Sequence, residues 1–176
     1  MDQSSGTVAR IVGAIDALNE GLGKSFAWLV IPLMVALAYE VVMRYGFDAP
    51  TTWAYDTSYM LYGAHFMLGA AFTLGRKGHI RTDFFYEKWS VRRQGTVDAI
   101  CYLFLFFPGL FFFLLAAWDA AYHSWTIAER SEASAWRPII YPFKMVMPVT
   151  AALLLLQGVA EFLKSLHAAR TGRPWP

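Results

Sequence analysis

The fold class predicted by this sequence is an all-α membrane protein, with four transmembrane helices, added amphipathic interfacial helices and both termini cytoplasmic. Three observations predict it. Hydrophobic residues make up 57% of the chain and charged residues 16%, with a mean hydropathy of +0.37, whereas ordinary globular chains are about a quarter charged. The charge deficit is gathered into long apolar runs, as lipid-facing helices require. The remaining Lys and Arg fall unequally on alternate connections, as the positive-inside bias requires.

Residues 7–22 read as an interfacial helix, because Val8, Ile11, Val12, Ile15, Leu18 and Leu22 recur at helical spacing while Arg10, Asp16, Asn19 and Glu20 fall on other faces. The apolar core starts only after Lys24, the wrong layout for a cleaved signal peptide. The first span is expected over 25–47: Ser25 to Tyr39 carry no charge, Glu40 and Arg44 lie in its last turns, and Pro32 should kink it. After the turn Asp48-Ala49-Pro50-Thr51 comes the second span, over 52–74. Asp56 sits near its start, where a carboxylate complements the helix dipole. Gly63, Ala64, Gly69, Ala70 and Ala71 let another helix approach closely.

Residues 79–93 predict a second interfacial helix, with Ile80, Phe84, Phe85, Trp89 and Val91 among Arg81, Asp83, Glu87, Lys88, Arg92 and Arg93. Together with Arg76 and Lys77, its cations Lys88, Arg92 and Arg93 and the ring of Trp89 are expected to meet lipid headgroups. The third span, over 97–125, contains twenty uncharged residues from Ala99 to Trp118, enough for about 30 Å of helix, with Pro108 in its middle. The fourth, over 139–166, starts among Pro138, Pro142 and Pro148 and has sixteen uncharged residues from Met145 to Ala160, with Lys144 able to snorkel. The tail after Thr171 reads as a free terminus.

Counted by segment, 11 Lys and Arg fall on the side of both termini and 4 on the other, so both termini are expected in the cytoplasm. The single cysteine, Cys101, lies in an apolar run and excludes a disulfide framework or a Cys metal site. Nucleic-acid binding has no support.

Few residues carry recognisable chemistry. Glu40 and Arg44, four apart with Glu first, are placed to pair on a helix, either as a self-satisfied couple or as a polar contact to a partner subunit or to Asp56. His65 is the one histidine deep in a span. A bis-His haem needs two at matching depth, but His65 lies about 20 Å in by helix rise, His123 is near the end of the third span, and His79 and His167 are at the cytoplasmic surface. His65 therefore reads as a polar packing residue. His79 and Asp83 have three residues between them, not the four usual in a His/Asp acyltransferase pair. That segment reads as the start of the interfacial helix, with Arg81 facing headgroups and Asp83 capping or pairing. Glu129-Arg130-Ser131-Glu132 opens the connection after the third span and reads as a solvated loop. No catalytic site, cofactor or metal is expected.

Two stretches carry a family resemblance. The first runs from Trp53 through Gly69-Ala70-Ala71 into Arg76-Lys77-Gly78-His79-Ile80-Arg81-Thr82-Asp83; the second comprises Glu129-Arg130-Ser131, Tyr141-Pro142, Pro148 and Leu155-Leu156-Gln157. In their order, from about Leu22 to Leu166, they resemble the small membrane subunit of tripartite ATP-independent periplasmic (TRAP) transporters, the DctQ family. The family often has Trp-Pro at Tyr141-Pro142 and Glu at Asp56.

The resemblance implies a non-catalytic scaffold in the bacterial inner membrane. Its partners would be a large membrane subunit, a periplasmic solute-binding protein and membrane lipids. The complex would take up an organic acid with sodium, the large subunit holding the transport sites. Glu40, Arg44, Asp56, His65, Gly69, His79, Arg81, Asp83 and Glu129 are then the expected interface or structural residues. A membrane anchor of a redox enzyme is one competing reading. The other is a self-sufficient small four-helix exporter, which would need a carboxylate nearer the midplane than Glu40.

Overall fold

The computed structural model describes residues 3–76, 86 and 88–175. Every regular element among them is helical: α1 (Gln3–Ala27), α2 (Val30–Gly46), α3 (Ala54–Gly75), α4 (Val91–Cys101), a π turn (Tyr102–Phe106), α5 (Phe107–Thr126), α6 (Tyr141–Lys144) and α7 (Val146–Thr171). One isolated antiparallel bridge joins Arg130 and Ile139.

Three prolines account for the interruptions. A proline brings no N–H to the carbonyl four residues before it, and its ring crowds that carbonyl. For Pro32 that carbonyl belongs to Trp28. The chain turns at Trp28 and Leu29, whose N–H groups reach back only three residues, to Ser25 O at 3.3 Å and Phe26 O at 3.1 Å. For Pro148 it belongs to Lys144, and the break falls at Met145, between α6 and α7. Pro108 would crowd Phe104. There the helix widens into the π turn, closed by the Phe107 N–H on Tyr102 O, and α4 continues into α5 without a break.

Three helical stretches are long and apolar enough to cross a membrane, namely Gly6–Gly46, Val91–Thr126 and Tyr141–Thr171. The helix expected over 52–74 forms as α3, but it is not one of these three. Its Tyr, Ser, Thr, Asp and His side chains lower its hydropathy. The element expected over 79–93 differs at its end. Ser90 is extended and its Oγ caps α4, so Arg92 and Arg93 belong to the first turn of that long helix. Lys77, His79, Arg81 and Asp83 lie outside the described residues.

The chain divides into two compact units. The first, 1–21, 71–113 and 151–176, has its core at Val12, Ile15 and Ala160, with Val8, Leu156, Leu163 and Trp175 against it. The stripe read as an interfacial face is therefore covered in part by the chain itself, while Ile11 and Leu18 stay about half exposed. Trp175 of the tail packs on this core and on the ring of His167 at 5.2 Å. The second unit, 22–70 and 114–150, buries Leu33, Ala36, Ala54, Ala117 and Ala121.

Candidate functional site

In the second unit the polar side chains tie connections to helix ends. Glu40 Oε1 accepts from Arg44 Nε at 2.9 Å and also from its Nη2. Glu40 Oε2 accepts from the backbone N–H of Thr51 at 3.0 Å and from the Thr51 hydroxyl, whose oxygen accepts from the Ala54 N–H at 3.3 Å. Glu40 thus holds the residue that caps α3, satisfying one of that helix's orphan donors. It does not meet Asp56.

Asp56 is 2% exposed and accepts from the hydroxyls of Ser131, at 2.5 Å, and Ser134. A buried carboxylate without a cation is tolerable here. Two hydroxyls donate to it, and it occupies the first turn of α3, where the helix dipole favours negative charge. It pins the connection between α5 and α6, which is an ordered structure and not the solvated loop read from its charges. The Ser131 N–H reaches Pro138 O at 2.8 Å, the Ile140 N–H reaches Glu129 O at 3.0 Å, and Arg130 donates to Arg137 O at 3.2 Å.

Glu129 pairs with Lys144 at 2.5 Å. The Lys144 ammonium, hydrogen-bonded to it, holds the Glu129 carboxyl below the ordinary value of 4.5. A depressed folded-state pKa contributes stability that is present above the unfolded value and is lost as pH falls through the folded one. Protection of the Ile140 amide in hydrogen exchange should therefore be flat from pH 5 to 8 and fall only below about pH 4.5. A decline already at pH 6 would mean that the pair does not hold this connection.

His65 lies within hydrogen-bond reach of the Phe26 carbonyl, its Nδ1 being 3.2 Å from that oxygen. A carbonyl only accepts, so Nδ1 carries the proton and the ring caps the last turn of α1, where Pro32 has disrupted the ladder. The two glycines of α3 in this unit differ in use. A Cβ on Gly63 would stand 2.6 Å from the Phe143 ring, whereas Gly69 faces open space.

The first unit holds a cluster that sequence reasoning missed. Lys164 Nζ lies 2.9 Å from Asp16 and 2.7 Å from Glu161. Fully buried Gln157 donates through Nε2 to Asp16 at 2.8 Å and to Glu161 at 3.3 Å, and its Oε1 accepts from Asn19 Nδ2 at 2.8 Å. The carboxylates can only accept, which fixes the Gln157 amide and then that of Asn19. The signal was readable: Asp16 and Asn19 are three apart, and Gln157, Glu161 and Lys164 are four and three apart, each set on one helix face. Beside the cluster is a cavity of about 560 Å³ lined also by Tyr86, Asp98 and Trp175.

The described cations expected at headgroups are exposed, and three of them also make contacts within the chain. Arg76 pairs with Glu20 at 2.6 Å and lies over the Phe72 ring at 5.4 Å. Arg92 donates to Arg170 O at 3.0 Å, near the end of α7. The Arg93 guanidinium stacks 4.4 Å over Trp89, while Gln94 holds the carbonyls of Tyr86 and Trp89 at 2.9 and 3.1 Å. Lys88 is exposed.

None of these arrangements places a nucleophile beside a base, and among the described residues no three His, Cys, Asp or Glu side chains could hold a metal ion together. The polar groups bind helix ends and connections to one another. The sequence pattern of the family described as "Tripartite ATP-independent periplasmic transporters, DctQ component" matches residues 33–168. No curated protein matches the chain.

Proposed function

Because the chain belongs to the DctQ component family of TRAP transporters, we propose that it is the small permease subunit of such a transporter in the bacterial inner membrane, a non-catalytic scaffold for the large subunit. The transported solute is an organic acid, handed over by a periplasmic binding protein and driven inward by sodium. The family match over residues 33–168 carries this reading. The internal pairing of Glu40 with Arg44 and Thr51, of Glu129 with Lys144 and of Lys164 with Asp16 and Glu161 supports the scaffold role. Charges satisfied within the chain suit a wall better than a midplane ion pathway.

In this reading α3 is a fourth crossing. Its 22 residues extend for about 33 Å, enough for a hydrocarbon core of about 30 Å. Two crossings before residue 76 put the cation-rich second connection on the side of the amino terminus and gather 11 cations there against 4 opposite, in line with the positive-inside bias.

One preparation tests both claims. In vesicles holding the large subunit and the binding protein, sodium-driven uptake of the solute should appear only when this chain is added. This chain alone should transport nothing, and uptake by it alone would overturn the proposal. In intact cells carrying Cys101→Ser, an impermeant maleimide should label a cysteine placed at Asp48 and spare one placed at Lys88. Equal labelling of the two would remove the fourth crossing.

A further inference from the structure

The helix α3 carries a seam that the chain leaves uncovered. Tyr55, Tyr59, Tyr62 and Phe66 are each more than half exposed. Among the described residues nothing stands within 4 Å of the place that a Cβ on Gly69, next in the series, would take. Their separations of four, three, four and three residues form the heptad repeat that keeps one helix face against a partner helix at a shallow left-handed crossing. On α2 the exposed Met34, Val35, Val41 and Val42 are apolar without a hydroxyl and suit acyl chains.

The chemistry of the seam separates a polypeptide from a lipid as its occupant. The hydroxyls of Tyr55, Tyr59 and Tyr62 make no hydrogen bond among the described residues, and the Ser58 Oγ beside them is buried without a partner. Leu33, Leu37 and these α3 side chains line a groove of about 420 Å³ alongside. Tyr55, Ser58 and Tyr59 lie in the first turns of α3, where headgroups and water reach a hydroxyl; at Tyr62, about 12 Å in from Ala54, acyl chains offer the hydroxyl nothing, and an unmet hydroxyl in an apolar medium costs free energy. A helix with polar side chains can satisfy them. Gly69 then forms a hole for a knob from that helix, a use that Gly63, already filled by Phe143, cannot serve.

We infer that the seam Tyr55, Tyr59, Tyr62, Phe66 and Gly69 is the docking face for one transmembrane helix of the large membrane subunit. That helix carries hydrogen-bond acceptors opposite the tyrosines and a bulky side chain opposite Gly69. The inference rests on the subunit reading above.

The test uses both subunits co-expressed in native membranes. A photo-crosslinking amino acid replaces Tyr62, Phe66 or, on α2, Met34, and Gly69→Leu is compared with Gly109→Leu, since both glycines face open space in this chain. Crosslinks from positions 62 and 66 should capture the large subunit. Gly69→Leu should lower its co-purification about tenfold or more, Gly109→Leu should leave it unchanged, and the level of this chain should hold in both. Capture from position 34 but not from 62 or 66, capture of a second copy of this chain at 62, or full assembly with Gly69→Leu would each overturn the seam and leave the subunit reading standing. If no position captures the large subunit and it does not co-purify with the unaltered chain, the subunit reading falls and the seam with it.

Discussion

Lys164→Met should lower the melting temperature of the purified chain in detergent by about 10 °C. Among the described residues the ammonium is the only cation paired with two carboxylates, Asp16 and Glu161, the second of which is 3% exposed. Removing it leaves like charges close together in a poorly solvated place, and breaking one side of a buried pair costs about 3–5 kcal/mol. The lower end applies here, because the Asp16 side chain is 38% exposed and water screens it. A loss of about 3 kcal/mol corresponds to about 10 °C in a chain of this size. The triple variant Asp16→Asn, Glu161→Gln, Lys164→Met removes the unpaired charges and should recover most of the loss. A single variant as stable as the parent, or a triple variant no better than the single, would show that the charges are solvated and that Gln157 alone organises the site.

The second large effect is expected at Gly95. A Cβ there would stand 2.6 Å from the backbone oxygen of Ser165 and 2.7 Å from the backbone nitrogen of Ala169. Helix α4 therefore approaches α7 at backbone distance, and a methyl group can be admitted only by moving a helix. Gly95→Ala should destabilise by about 3 kcal/mol, the upper range for overpacking, despite the better helix propensity of alanine. Gly158→Ala meets a side chain instead, the Phe106 ring at 2.4 Å; a ring can turn aside, and the loss should be smaller. Gly109→Ala meets nothing within 4 Å and should stabilise the helix by up to about 1 kcal/mol. Thermal unfolding of the three variants side by side checks this order. A Gly95→Ala chain no less stable than Gly109→Ala would show that α4 and α7 are not in backbone contact.

Much of the fold was legible because its causes are local. Long apolar runs give helices, and prolines break them where a backbone carbonyl loses its donor, so Pro32 and Pro108 mark disturbances in the sequence itself. The exact form of each was not legible. Whether proline produces a turn, as at Trp28 and Leu29, or a π turn, as at Tyr102–Phe106, depends on the surrounding packing. The candidate site was legible in parts. Glu40 with Arg44 is a four-residue pair that sequence spacing finds, while Thr51 as the second partner of Glu40 and Ser131 and Ser134 as partners of Asp56 come from segments far apart in the chain. By spacing, Asp16 and Asn19 fall off the apolar stripe of their helix. They are partners of Gln157 and Lys164, some 140 residues away.

By itself, then, the sequence determined that the chain is helical, rich in membrane-length apolar segments and asymmetric in its cations, because composition and periodicity act within a few turns of one helix. Only the tertiary structure decided which polar groups are satisfied from within and which faces remain open. Val12 and Ile11 are neighbours of like character, yet one is buried and the other is half exposed. Gly63 and Gly69 are the same residue on one helix, yet a Cβ would meet the Phe143 ring at one and no described residue within 4 Å at the other. In each case the difference lies in what another segment brings to that face, and hydrophobic periodicity carries no record of which segment that will be.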